Sequence, residues 1–343
     1  MTTPSAVACA AEGVLLAHHR PNGGFTNPWT GAAFEARLGG LLRWWFVDRV
    51  RNPPPPDPDP ATFPRARPGF AVPRAAEDGL SITWVGHATF LLQMGGLNIL
   101  TDPIWSTHAS PLPGVGPRRR VAPGIPFESL PPIDVVLQTH DHYDHLDDRT
   151  VCRLEARDPG AHWFVPLGLG SFLRRRGWHQ ITELDWWQEA TLGPLSIGCT
   201  PAQHFSGRLP WRRNRTLWCG WSLATAGRRL LFAGDTGYHP EFQQIGQRFG
   251  PFDVALLPIG AYDPRWFMKP VHMNPEEAVA AARDLGGPRF VPMHWGTFKL
   301  TDEPLDEPPQ RALASWCAAG MPVERYWQLA HGETRDLPVE ASR

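Results

Sequence analysis

Lysine is nearly absent from this 343-residue chain: Lys269 and Lys299 are the only two, so almost all of its 33 basic residues are arginines. The 34 Asp and Glu balance them to a net charge of −1. No global field draws in nucleic acid or acidic polymers, so no nucleic-acid partner is expected and an anionic substrate must be met by local charge. Cysteine is scarce as well. Cys9, Cys152, Cys199, Cys219 and Cys317 are odd in number, widely spread and never spaced C-x-x-C, which argues against a disulfide framework or a thiolate zinc site and for a reducing compartment. Residues 1–19 contain no Lys or Arg, and the apolar run AVACAA stops at Glu12 and Gly13, which argues against a secretory signal. No apolar run approaches the ~18 residues that a membrane span requires. These absences predict a cytoplasmic protein, soluble or peripheral on a membrane surface. The chain also lacks G-x-x-x-x-G-K-[ST], a dinucleotide fingerprint and G-x-S-x-G, so kinase, dehydrogenase and serine-hydrolase readings have little support.

The chain is long enough for one large domain or two smaller ones, and its organisation favours one, residues 81–343, behind an N-terminal arm, residues 1–80. Within the arm, PPPPDPDPATFPRARPGFAVP (53–73) is too rich in proline for a helix or central strand and reads as a connector or wrapping segment. Before it, residues 36–51 fit an amphipathic helix with Leu38, Leu41, Leu42, Trp45 and Phe46 largely on one side. Such a stripe more commonly packs on the main domain; the alternative is docking on a membrane surface through Trp and Arg.

From residue 81, strand-like runs alternate with loops: SITWVG, ATFLLQM, LNILTD, VVLQT, WFVPL, TLGPLSIGCTPA, TLWCGWSLAT, RRLLFAGD, FDVALLPIG and RFVPMH. Helices are expected at 148–157, 239–248, 275–285 and 309–318. The third has the clearest start: Asn274 can cap it, Pro275 takes the first helical position and Glu277 completes a capping box. This order predicts an α/β (α+β) fold of two packed β-sheets with helices on the outer faces.

Histidine and aspartate cluster where apolar runs end. THDHYDHLDD (139–148) places three histidines and four aspartates directly after DVVLQ. His140 and His142 can face one cation while Asp144 and His145 face a second. Neutral imidazole and carboxylate suit zinc, two ions per chain, with iron or manganese also compatible. Downstream, His204 in PAQHFSGR would complete the first set, His294 in VPMHWGTF the second, and Asp235 in LLFAGDTGY would lie between them. Each of these three alone is more often a satisfied polar residue or turn former. Strand-end loops are nevertheless where a rigid scaffold gathers distant residues.

The series HxHxDH, His, Asp, His resembles that of metallo-β-lactamase-fold hydrolases. FTNPW (25–29), WVGHATFLLQ (84–93), ILTDPIW (99–105), AYDPRWFMKPVHMNPEEAV (261–279) and MHWGTF (293–298) are similar to the N-acyl-phosphatidylethanolamine-hydrolysing phospholipase D-like subgroup. The resemblance implies a four-layer αββα sandwich, with residues 81–343 as catalytic domain and a dinuclear site at one edge of the sheets. The implied activity is a zinc-dependent phosphodiesterase that releases phosphatidic acid and an N-acylethanolamine by means of a metal-bridging hydroxide, with Asp235 fixing both ions. Phospholipid or another phosphodiester is the expected substrate; peripheral membrane contact and a homodimer are within the same expectation. The alternatives are a hydrolase of a lactone or nonlipid phosphodiester, or a nonenzymatic membrane-associated metal-binding protein.

His272, in KPVHMNPEE, resembles an active-site position of that subgroup outside the ligand set and could bind a phosphoryl oxygen or protonate the leaving oxygen; the alternative is a polar residue just ahead of the Asn-Pro helix cap. His87 could steady a ligand from behind, with a satisfied loop histidine as the alternative. Asp141, Asp147 and Asp148 could orient ligand imidazoles, although loop carboxylates are more often solvated or turn-forming. Tyr143 could line the pocket mouth. Trp266, Phe267 and Met268 could touch acyl chains, although such clusters are more often core. The compact basic run PRRR (117–120) reads as an exposed charged face, with phosphate or membrane contact as its alternative.

Overall fold

β1 (Leu80–Gly86), β2 (Thr89–Met94) and β3 (Leu97–Thr101) form an antiparallel meander, and the two-residue turn between β2 and β3 is Gly95-Gly96, with φ of 63° and 71°. Positive φ at both positions matches the right-handed twist of the flanking strands, and glycine adopts it without strain. The computed structural model describes residues 16–30, 38–112, 114–209 and 212–337. AVACAA, and positions 36 and 37 of the expected helix, lie outside the described residues.

Beyond β3 the first sheet becomes parallel through β4 (Val135–Leu137), β5 (His162–Pro166) and β6 (Ile181–Leu184). Parallel neighbours need a crossover, and the helix Asp148–Arg157 supplies it between β4 and β5. The second sheet contains β7 (Glu189–Leu192), β8 (Leu195–Thr200), β9 (Gly220–Ala224), β10 (Arg229–Phe232), β11 (Val254–Pro258) and β12 (Arg289–Met293). β13 (Thr334–Leu337) returns to pair with β1, giving sheet orders β13-β1-β2-β3-β4-β5-β6 and β12-β11-β10-β9-β8-β7.

Period-two alternation decides which side chains enter the core. Val135 and Leu137 join Ile82, Trp84, Phe90, Ile197, Trp221 and Phe232 in the main cluster, whereas Val136 joins Val151 and Leu154 of the helix Asp148–Arg157. At β11, the helix Pro275–Asp284 packs Ala278, Val279, Ala281 and Ala282 into the buried core. The result is an α/β sandwich of two mixed sheets with helices outside, as the run order indicated. The expected capping box is present: Asn274 Oδ1 accepts the Glu277 N–H at 2.9 Å, and the Asn274 N–H donates to Glu277 Oε2 at 3.3 Å.

Several expectations need correction. TLGPLSIGCTPA is a hairpin, β7 and β8, turning at Gly193-Pro194 with φ +57° at the glycine. The short strands β6 and β13 carry too few apolar residues to stand out in sequence. The helix expected from residue 239 starts at Phe242, and the one expected from 309 starts at Glu307, tolerating Pro308 and Pro309 in its first turn. In the arm, helical turns Leu38–Arg43 and Arg49–Arg51 flank a π turn, Trp44–Asp48. The wider turn shifts the phase of the stripe: Trp44 is buried at 4%, while Leu41, Leu42, Trp45 and Phe46 are exposed. The Trp44 indole donates to Asp302, and Arg49 Nε donates to the same carboxylate at 2.8 Å. The proline-rich segment is tied down by buried Phe63 and by Asp57, which pairs with Arg120 and Lys299. PRRR is therefore not a free charged face, since Arg119 is buried and donates to the carbonyls of Ile104 and Ser106.

Candidate metal centre

Six strands end at one edge of the sandwich, and each delivers a polar residue there. β1 runs into His87, β3 into Asp102, β4 into Gln138-Thr139 and the His140–His145 loop, β8 into His204, β10 into Asp235 and β12 into His294. Strand C-termini in layered α/β folds are where separate segments can converge without disturbing the hydrogen-bond ladder. Three of these residues have positive φ: His87 at 57°, Asp102 at 33° and His294 at 64°. Non-glycine residues in that region carry strain of ~1–3 kcal/mol each and tend to cluster at functional sites.

All seven expected ligand positions are brought together. His140 Nε2 lies 2.9 Å from His142 Nδ1, and His204 Nε2 lies 3.2 Å from the same nitrogen. These spacings approach the ~3.3 Å edge of a tetrahedron around an ion with ~2.0–2.1 Å bonds to nitrogen. In the second set, Asp144 Oδ2 lies 3.4 Å from His145 Nε2 and 3.5 Å from His294 Nε2. Asp235 stands between the sets: its Oδ2 is 3.0 Å from His145 Nε2, 3.1 Å from His294 Nε2, and 3.9 Å from both His140 Nε2 and His204 Nε2. Either donor set could hold a divalent cation.

Outer partners fix the ring tautomers. His145 Nδ1–H donates to Asp102 at 2.7 Å. His140 Nδ1–H donates to Thr139 Oγ1 at 2.9 Å, and that hydroxyl donates to Asp102 at 2.6 Å. One buried carboxylate therefore orients two imidazoles and leaves both Nε2 atoms facing inward. His204 Nδ1–H donates to the Val271 carbonyl at 2.9 Å, and His87 Nε2–H donates to Asp144 Oδ2 at 2.9 Å. Asp102 and Thr139 were missed as orienting residues; the available signal was an Asp ending the buried run of ILTD. The remaining loop carboxylates do not touch ligand rings. Asp141 accepts the Gly207 N–H, Asp147 binds Ser106 and Thr150, and Asp148 pairs with Arg176.

Burial opposes charge throughout the site, and the opposite charges overcome it at selected atoms. Burial alone would lower His294, but Asp235 and Asp144 raise it to about 9; His145 is likewise raised well above the usual imidazole range. Burial would raise Asp144 and Asp235, yet neighbouring histidines hold both well below the usual carboxylate range. His142 is pushed down to about 3 and His204 to about 4, mainly by burial. Ionised carboxylates thus gather positive charge on His145 and His294, the atoms that a cation would meet. His145 Nε2, His294 Nε2 and Asp235 Oδ1 are also buried without well-directed hydrogen-bond partners. Such a donor set fits a pair of divalent cations, which would displace the imidazole protons.

His272 lies beside the set, its Nε2 3.9 Å from Asp235 Oδ2. A cavity of about 700 Å³ opens onto His142, Asp144, His204, Asp235 and His272. Its apolar wall is built from Leu41, Trp44, Phe267, Met268, Val271 and Leu300. Arg208, which also lines the cavity, stacks on Tyr143 and takes its phenolic O–H on the backbone carbonyl at 3.0 Å.

A family model described as "Beta-lactamase superfamily domain" matches residues 97–295, more than half of the chain. An uncharacterized protein of Mycobacterium bovis is 42% identical over 324 residues, covering 91% of this chain and 84% of its own. N-acyl-phosphatidylethanolamine-hydrolyzing phospholipase D 1 of Caenorhabditis elegans is 41% identical over 235 residues, 66% of each chain. Among solved structures, Igni18, a metallo hydrolase from Ignicoccus hospitalis, superposes with a TM-score of 0.58 at 26% identity, covering 76% of this chain and 99% of that one. By this match and by its sandwich fold, the chain belongs to the beta-lactamase superfamily and is a metal-dependent hydrolase of the metallo-β-lactamase fold.

Proposed function

We propose that the chain is a zinc-dependent phosphodiesterase of the phospholipase D type, acting on N-acyl-phosphatidylethanolamine-like phospholipids. The observation that carries this reading is the continuity of the apolar cavity with both donor sets. A lipid tail can lie against Leu41, Trp44, Phe267, Met268 and Leu300 while its headgroup phosphate reaches Asp235 and His272. The relatives named for that activity support the same substrate class.

In this proposal His140, His142 and His204 hold one ion, Asp144, His145 and His294 hold the other, and Asp235 lies between them. Zinc suits five imidazoles and two carboxylates, although iron and manganese accept the same donors. When bound, such a pair lowers the pKa of water toward ~7 and polarises a phosphoryl oxygen. Asp102 and Thr139 hold the Nδ1–H of His145 and His140, which leaves their Nε2 atoms facing inward for the ions that displace any proton there, and His87 keeps Asp144 turned toward His294. Burial holds His272 well below the usual imidazole range, so it acts as a neutral ring donating a hydrogen bond to a phosphoryl or leaving oxygen.

The arm helix would bring the cavity to the lipid. Leu41 and Trp44 line the cavity, while Phe46 and Val50 are exposed at 69% and 76% beside Arg43, Arg49 and Arg51. An apolar face rimmed by arginines suits an anionic bilayer surface. Among the described residues, no helix is long and apolar enough to cross a membrane. Liposome sedimentation of Phe46→Ser against the parent chain tests this contact.

The deciding experiment incubates metal-loaded protein with N-acyl-phosphatidylethanolamine and identifies the products. Phosphatidic acid with N-acylethanolamine is expected. Released fatty acid, or turnover only of bis(p-nitrophenyl) phosphate or a lactone in parallel assays, would overturn the substrate assignment.

A further inference from the structure

A second group of metal-ligating side chains lies away from the main centre. His18 Nε2 is 2.7 Å from one oxygen of Asp185, and His19 Nε2 is 2.7 Å from the other. The three ligand atoms all fall within 4.8 Å of one another. His18 and Asp185 are each 6% exposed, and His19 is partly open to solvent. Burial would raise Asp185, but the two imidazoles hold it below the ordinary carboxylate range.

We propose that His18, His19 and Asp185 form a third metal site, for a single divalent transition ion such as zinc, which clamps residues 18–29 to the main domain. Three observations carry this. First, two imidazoles and a carboxylate are a donor set that borderline divalent ions accept, and the partly open side at His19 leaves room for water as a fourth ligand. Second, the positions are rigid. His18 stacks on Trp186 with centroids 4.2 Å apart, and Asp185 Oδ1 accepts the Trp186 N–H at 2.8 Å. Third, the donors already converge: each imidazole Nε2 meets its own carboxylate oxygen at 2.7 Å, an ordinary charge-assisted hydrogen bond, and all three ligand atoms face one another. Outward movement of about 0.6 Å would convert these contacts into the ~3.3 Å edge of a coordination sphere, with the ion replacing protons on the ring nitrogens.

The clamp has a mechanical consequence. Asn27, on the same segment, donates its side-chain N–H to the His204 carbonyl at 2.8 Å, and the Phe25 N–H donates to the Asn214 carbonyl at 2.9 Å. An ion at His18, His19 and Asp185 would therefore stiffen the loop that carries one of the main-centre histidines. This inference does not depend on the phospholipid reading.

The test is metal stoichiometry on the full-length chain, stripped with chelator, reloaded with Zn2+ and dialysed. Three equivalents are expected for the parent and two for both His19→Ala and Asp185→Asn, the latter keeping side-chain size while removing the charge and one of the two acceptor oxygens. A chain carrying His140→Ala, His145→Ala, Asp235→Asn and His294→Ala, which leaves neither main-centre set with three donors, should when loaded with Co2+ retain one equivalent with visible ligand-field bands, and adding Asp185→Asn should abolish them. Two equivalents in parent and variants alike, or bands that survive Asp185→Asn, would show the cluster to be a hydrogen-bonded clamp only and would overturn the proposal.

Discussion

His145 donates its Nδ1–H to Asp102 across 2.7 Å, and both side chains are fully buried. Asp102 also accepts from Thr139, so one carboxylate sets the tautomers of two inward-facing imidazoles. Asp102→Asn keeps the shape but presents an amide where imidazole needs an acceptor. Metal affinity and turnover should each fall by ~10–100-fold, the usual range for outer partners of a metal ligand. Competition with a chelator measures the first and a phosphodiester assay the second.

Asp235→Asn removes negative charge from the midpoint of both donor sets. At least one bound ion should be lost, and activity should fall by more than the ~10–100-fold expected of an outer residue. Full activity with two ions retained would show that Asp235 is not a ligand.

His272→Ala should separate chemistry from metal binding. Metal content should stay at the parent level while kcat drops by ~10²–10³-fold, the range for losing one donor to developing charge. Loss of an ion would instead place His272 among the ligands, a set that His204 and Asp235 could complete.

Asp302→Ala frees Trp44 and Arg49 and so loosens the helix that supplies one cavity wall. Breaking a charge-assisted hydrogen-bond pair of ~1.5–3 kcal/mol should raise KM for a long-chain phospholipid about tenfold or more. Turnover of bis(p-nitrophenyl) phosphate, which needs no apolar wall, should change little.

Acid should destabilise the fold partly through a histidine outside the metal centre. His239 is stacked between Trp29 and Phe242 with neither ring nitrogen partnered, and burial pushes it down to about 3. Its ordinary value is ~6.5, so the unfolded chain takes up the proton first as pH falls. The contribution of the neutral ring is complete above pH ~6.5 and is lost progressively toward pH 3. At pH ~5.5 the loss amounts to roughly 1 kcal/mol. His239→Phe keeps the stack and removes the titration, so Tm measured from pH 7.5 to 5 should fall less steeply than for the parent.

The main-centre residues were legible because each closes an apolar run, and an apolar run that ends in His or Asp predicts both the strand and the position of the polar side chain. The sandwich was legible for the same reason, through alternation and the capping box at Asn274. The orienting role of Asp102 was not, because its partners His145 and Thr139 lie 43 and 37 positions away. The inward face of the arm helix was also misjudged. A 3.6-residue period favours Trp45 and Phe46, whereas the π turn and the carboxylate of Asp302 select Trp44. A single tertiary acceptor there outweighs a stripe of apolar area.

The cavity draws its walls from both sides of the matched stretch: Leu41 and Trp44 precede residue 97, and Leu300 follows residue 295. The seven main-centre donors all fall within that stretch. Under the proposed phospholipid reading, replacing Leu41 and Trp44 would therefore vary the tail-facing wall without touching any donor, whereas Phe267, Met268 and Val271 tie the rest of that wall to the stretch that carries the donors.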